Sequence, residues 1–177
     1  MQTSFVLESS VLIRSEVDDD WSAVHALNTA AFETPAEANL VDALRGQARA
    51  FISLVADQAG TIVGHIFLSP VTLAGHAGLK IMGLGPMAVK PAHQRQSIGS
   101  ALVRAALERC KALGIGAVVV LGHPAYYPRF GFSPSVHFDI KSEYDVPEDV
   151  FMLVELQPGY LNGVSGTIQY HDAFKNA

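Results

Sequence analysis

Apolar residues recur at two different spacings along this chain, and the changes of spacing mark its elements. Ser10–Arg14 alternates weakly and reads as a short strand. Asp18, Asp19 and Asp20 follow as acidic cap or first-turn residues for a helix through Ala31, in which Trp21, Val24, Leu27 and Ala31 fall at helical spacing. A second helix is expected after Pro35, with Leu40, Val41 and Leu44 as its apolar stripe and Gly46 at its end. Phe51–Ala56 and Thr61–Leu68 are apolar runs joined by Asp57–Gly60, a hairpin signal. Val71–Leu79, with Gly75 and Gly78, reads as a loop or a weak strand edge. Lys80–Val89 is the next strand, interrupted by Gly83, Gly85 and Pro86. Pro86 has no N–H to give a ladder, so the strand should splay or bulge there.

The spacing predicts a long helix over Ser97–Leu113. Ile98, Leu102, Ala105, Ala106, Leu107 and Leu113 form its apolar face, Arg104, Glu108 and Lys111 its polar one, and Gly114 its stop. Gly116–Leu121 is continuously apolar, as in a strand buried on both faces. Strand, long helix and strand make a parallel βαβ unit after an antiparallel hairpin, hence a mixed sheet. Val150–Leu156 and Gly166–Gln169 read as two late strands. No internal repeat, low-complexity tract or linker interrupts the chain, so a single domain is expected over residues 1–177.

Composition narrows the function classes. The chain has a net charge of -5 and only 16% charged residues, which argues against a nucleic-acid surface built from clustered Lys and Arg. It leaves room for a phosphate-bearing ligand, because a few backbone amides can hold one anionic group locally. The one cysteine, Cys110, sits in an apolar-periodic run and reads as a buried structural thiol; an internal disulfide is excluded and a reducing cytoplasm fits. Met1–Ser10 carries neither a basic segment nor a long apolar stretch, so no signal peptide or membrane span is expected. The seven histidines show no metal-ligand spacing. Neither a Gly-x-Ser-x-Gly elbow nor a Gly-x-x-x-x-Gly-Lys-(Ser/Thr) loop occurs, which disfavours a serine hydrolase and an NTPase.

The informative segment runs from Met87 to Leu102. A strand ends near Pro91, a tight turn follows, and a helix begins near Ser97. The first amides of such a helix lack intrahelical acceptors, and its dipole favours negative charge. Gly99 removes a side chain where an anion must approach the backbone, and Arg95 adds a positive charge. Here the sequence resembles the GCN5-related N-acetyltransferases, specifically a subgroup of small bacterial members. Their (Gln/Arg)-x-x-Gly-x-(Gly/Ala) turn reads Gln94-Arg95-Gln96-Ser97-Ile98-Gly99 in this chain. Ser97 stands where the family usually has its first glycine; a serine can cap a helix, but it also adds a Cβ. The resemblance extends to Leu84–Pro91 and to Tyr126-Tyr127-Pro128-Arg129-Phe130-Gly131-Phe132, where the family often has a tyrosine before a Gly-Phe pair.

That resemblance implies an α/β (α+β) fold, with a mixed, mostly antiparallel central sheet, one splayed pair of strands and flanking helices. It implies acetyl-coenzyme A as cosubstrate, held by Gln94, Arg95, Gln96, Ser97, Ile98, Gly99 and Ser100 at the turn. Met87, Ala88 and Val89 would lie along its pantetheine arm, pairing as an added strand would. Tyr127 becomes the expected acid for the departing thiolate, since a phenol, ordinarily with pKa about 10, is protonated at neutral pH. Tyr126 is the alternative, and a plain aromatic core is the other reading of both. Glu33, His93, His123 and Glu155 are candidates for a base or substrate contact, and water can replace them. The acceptor is a small-molecule or peptide amine, with no metal, nucleic acid or membrane involved and a homodimer left open. A non-catalytic acetyl-coenzyme A sensor and an α/β interaction module are the rivals.

Overall fold

The structure, a computed structural model, describes residues 5–6 and 10–176. Of the Met1–Ser10 segment, only Phe5, Val6 and Ser10 are therefore described. The strands are β1 (Phe5–Val6), β2 (Val11–Ser15), β3 (Ile52–Gln58), β4 (Thr61–Leu73), β5 (Ile81–Val89), β6 (Ala117–Leu121), β7 (Ser133–Pro134), β8 (Ile140–Ser142), β9 (Phe151–Glu155) and β10 (Gly166–Gln169). The helices are α1 (Trp21–Phe32), α2 (Ala36–Gln47) and α3 (Ile98–Ala112). The sheet runs β1-β2-β3-β4-β5-β6-β9-β7, with β10 joining the end of β4 to β8. Among the described residues only β5–β6 and β8–β10 pair in parallel.

Strand periodicity sorts the core into two layers. Leu54, Ile66, Met87 and Val89 face α3, where Ile98, Leu102, Val103, Ala106 and Cys110 are packed. Their neighbours Val55, Phe67 and Ala88 face Val24, Leu27, Leu40, Val41 and Leu44 of α1 and α2. Burial pushes the Cys110 thiol up to about 12, so it stays protonated and inert, as its place in the helix pattern implied.

Several expectations shift. Val71–Leu73 is not a loop but the end of β4, because Val71 pairs with Ile81 and Leu73 with Ile168. Leu113 is not on the buried face of α3: it caps the helix and is 56% exposed, ahead of Gly114 at φ 77°. Trp21 is 43% exposed, with the Arg45 guanidinium 4.8 Å above its ring. Gly46 lies inside α2 and does not end it. Three short strands, β1, β7 and β8, were not read from the sequence.

The feature that positions the site is a separation of strands. β5 and β6 pair only from Ile81–Leu84 against Ala117–Val120. On the other side, β5 slips against β4 between Leu84 and Met87, where Gly85 and Pro86 oppose Phe67 alone. Gly85 has φ 141°, a conformation left to glycine, and the Gly85–Pro86 peptide is cis. Pro86 thus both bulges β5 and marks where it leaves β6. Below this point a polar cluster ties α1 to the sheet. His65 Nδ1 accepts from Asn28 Nδ2 (3.2 Å), which assigns the proton to Nε2 and makes it the donor to Ser53 Oγ (2.9 Å). All three residues are buried.

Candidate active site

The turn between β5 and α3 is tightly curled. Arg95 and Ser97 both adopt left-handed backbone, with φ 64° and 65°, a geometry that gathers successive N–H groups into an anion-binding hollow. The first intrahelical bond runs from Ala101 N–H to Ser97 O, so the amides of Ile98, Gly99 and Ser100 have no acceptor within α3. The Ser97 side chain makes no capping bond, so serine does not act as a helix cap here. A hollow of about 500 Å³ opens over these amides, lined by Met87, Ala88, Val89, His93, Gln94, Arg95, Ser97, Ile98, Gly99, Ser100, Tyr126 and Arg129. Of the expected coenzyme residues only Gln96 is outside that lining. A Cβ on Gly99 would stand 3.1 Å from the Tyr126 hydroxyl and narrow the hollow.

The two tyrosines divide between two cavities. Tyr126 lies in the first, its hydroxyl 3.4 Å from Ser100 Oγ; Arg129 donates to the Tyr126 carbonyl (2.8 Å) and lies over its ring at 4.5 Å. Tyr127 is packed edge-on against Tyr126 and Phe132 and is 7% exposed. It lines a second cavity of about 320 Å³ with Leu84, Gly85, Pro86, Met87 and Leu121, where β5 has parted from β6. Met87 borders both cavities, so they meet along the freed edge of β5. Burial, and secondarily Tyr126, push the Tyr127 hydroxyl up to about 12; it is protonated at neutral pH. The ring fits only because residue 122 is glycine: a Cβ there would overlap Tyr127. Two further hollows, of about 350 and 430 Å³, are comparable in size, but neither touches the helix-start turn or either tyrosine.

The four other candidates do not converge. His93 lines the first cavity, its Nε2 3.0 Å from Gln58 Oε1 and its Nδ1 buried without a partner. Glu33 is exposed at the left-handed C-cap of α1. His123 is exposed, and its carbonyl accepts from Tyr126 and Tyr127 N–H, which shapes the turn that presents them. Glu155 is opposite Ala117, at the far end of β6 from Leu121, and its carboxylate accepts from Leu161 N–H (2.8 Å); it holds a loop and not a cleft. Sequence reasoning missed Glu37, the carboxylate of the second cavity, because first-turn acids in helices are common. Among the described residues no three His, Cys, Asp or Glu side chains gather as metal ligands, and no helix is long and apolar enough to cross a membrane.

Known proteins share this arrangement. The sequence model of the acetyltransferase (GNAT) family matches residues 17–132. The Escherichia coli K12 protein YhbS, described as an uncharacterized N-acetyltransferase, is 37% identical over 165 residues, covering 93% of this chain and 98% of its own. The crystal structure of Escherichia coli YhbS in complex with CoA superposes with a TM-score of 0.88, at 36% identity over 93% of this chain and 92% of that one. A GNAT family acetyltransferase from Brucella melitensis, crystallised with acetyl-CoA, gives 0.78 at 33% identity, over 94% of this chain and 99% of that one.

Proposed function

Because the chain belongs to the acetyltransferase (GNAT) family, we propose that it transfers acetyl from acetyl-coenzyme A to a primary amine by direct attack. One observation carries this reading: the freed edge of β5 joins an anion-binding helix start on one side to a buried, protonated tyrosine on the other. The diphosphate of the coenzyme takes the amides of Ile98, Gly99 and Ser100, with Arg95 and Arg129 as nearby positive charges. The pantetheine arm pairs with β5 backbone around Met87–Val89 as an added strand. Gly99, which leaves the hollow free of a side chain, supports this fit.

The acceptor attacks as a neutral amine. Its nitrogen bonds to the thioester carbon, the carbonyl oxygen takes the charge, and a β5 amide near Met87–Val89 stabilises it. The C–S bond then breaks and the thiolate takes up a proton, while the nitrogen releases one. Tyr127 is the hydrogen-bond donor to sulfur. A phenol raised to about 12 is a weaker acid than a thiol, so its hydroxyl acts chiefly by solvating the charge as it develops. Holding both reactants in adjoining cavities removes much of the entropic barrier, and no covalent enzyme intermediate is needed.

The test is thiol release from acetyl-coenzyme A in the presence of a panel of primary amines. The expected result is one acetylated amine per free thiol for at least one amine class. Binding of the coenzyme without turnover of any amine would identify a sensor.

A further inference from the structure

The second cavity has a composition of its own. Phe32, Leu40, Leu84, Pro86, Leu121 and Phe174 give it an apolar wall, with Tyr127, Tyr144 and Tyr170 also lining it. Phe32 and Leu121 stay more than a third exposed, an unusual place for large apolar side chains unless something covers them. Tyr144, Tyr170 and Phe174 pack in series, with ring centroids 5.6 and 5.1 Å apart. Burial is the main cause that raises both phenols' pKa values, so they remain neutral.

The cavity holds a single charged group, Glu37. Its Oε2 is buried and has no hydrogen-bond partner. A carboxylate in the first turn of α2 is explained in part by the helix dipole. Glu37 as a whole is half-buried, and its other oxygen, which also has no hydrogen-bond partner among the described residues, is the one left for a ligand to pair, an arrangement the dipole does not account for. A ligand for such a place has an N–H donor, preferably charged, on an apolar body. Aromatic faces beside the carboxylate add attraction for a cation.

We propose that Glu37 captures the acceptor in its ammonium form, which loses its proton to water before the nitrogen attacks, and that the acceptor is a small primary amine on an apolar or aromatic body, not a polyamine or a lysine-rich peptide. This rests on the acetyltransferase reading and names the substrate class of the same site. Glu37 and Tyr127 line one cavity, so an amine paired with Glu37 already sits beside the bend of β5 where the thioester is expected.

Calorimetric titration of the coenzyme A-loaded protein with 2-phenylethylamine, 2-phenylethanol and spermidine tests this without relying on turnover. Wild type should bind the amine about ten-fold or more tightly than the alcohol, as for a charged hydrogen bond, and more tightly than spermidine. Glu37→Gln should abolish the preference for amine over alcohol while coenzyme affinity stays unchanged and the protein still melts cooperatively; Glu37→Asp should retain part of the preference. Equal binding of amine and alcohol to wild type, a preference that survives in Glu37→Gln, tighter binding of spermidine, or no binding of 2-phenylethylamine would each overturn the proposal. Thiol release across the amine panel, with coenzyme titration beside it, judges the underlying reading: its failure shows as no turnover of any amine, a result separate from the preference for amine over alcohol in binding.

Discussion

Gly122 decides where the Tyr127 ring can lie, since any side chain there would overlap it. Tyr127 itself was legible in the sequence from its place before Gly131-Phe132, whereas nothing local marked Gly122, which follows the apolar run of β6 as an ordinary stop signal. Two substitutions separate the part played by the hydroxyl from packing. Tyr127→Phe keeps the edge-on contacts with Tyr126 and Phe132 and removes only the hydroxyl. Turnover should fall about ten-fold to a thousand-fold in steady-state kinetics, with coenzyme affinity and melting temperature held, and the loss should shrink for an acyl donor with a better leaving thiol. Equal turnover would remove the hydroxyl from the chemistry. Gly122→Ala should also lower turnover, by moving the ring, but with a measurable loss of stability of about 1–3 kcal/mol from overpacking, read from denaturant titration. Glu155 shows the opposite limit of sequence reading. A carboxylate in an apolar run does imply a partner, but the partner is the Leu161 amide, which is six residues on and gives no signal of its own.

At the scale of elements, the hydrophobic patterns located the three helices, which bury one face each, and most strands, whose central members are apolar on both faces. They erred at ends, where tertiary partners decide: β4 continues because β5 and β10 extend its ladders, and Leu113 is exposed because α3 turns out at Gly114. The parting of β5 from β6 was legible at Pro86, whose missing N–H forbids a regular ladder. The conformation of Ser97 was not, since the residue type hides it. Its left-handed backbone lacks a compensating capping bond, so the serine is strained where the family usually has glycine. Ser97→Gly should therefore raise stability by up to about 1 kcal/mol, the relief of that strain less the entropy glycine adds to the unfolded chain. Thermal melts of the two proteins decide it; a lower melting temperature in the variant would contradict the strain.

For the whole molecule, the buried cluster of Asn28, His65 and Ser53 links stability to pH. Burial, helped by the Arg45 charge, lowers the His65 pKa from 6.5 to about 3. Below pH 6.5 the unfolded chain binds a proton there that the folded protein refuses, so stability is lost as pH falls, with a slope approaching about 1.4 kcal/mol per pH unit until pH 3. Asp20, whose pKa the Arg14 hydrogen bond lowers, adds its own loss only below the ordinary carboxylate range. Denaturant titrations between pH 6.5 and 5 should thus show a decline for wild type and a flatter response for His65→Gln. The same slope in both would contradict the assignment.

Across the molecule, the arrangement that matters is the pair of cavities that share Met87, one over the amides of α3 and the other at Tyr127. A crystal structure of the protein with coenzyme A tests it most directly. The account predicts the diphosphate on the amides of Ile98, Gly99 and Ser100, the pantetheine paired with β5 around Met87–Val89, and the sulfur within hydrogen-bonding reach of the Tyr127 hydroxyl. Coenzyme bound at either of the other hollows, or in this slot with its sulfur remote from Tyr127, would contradict it.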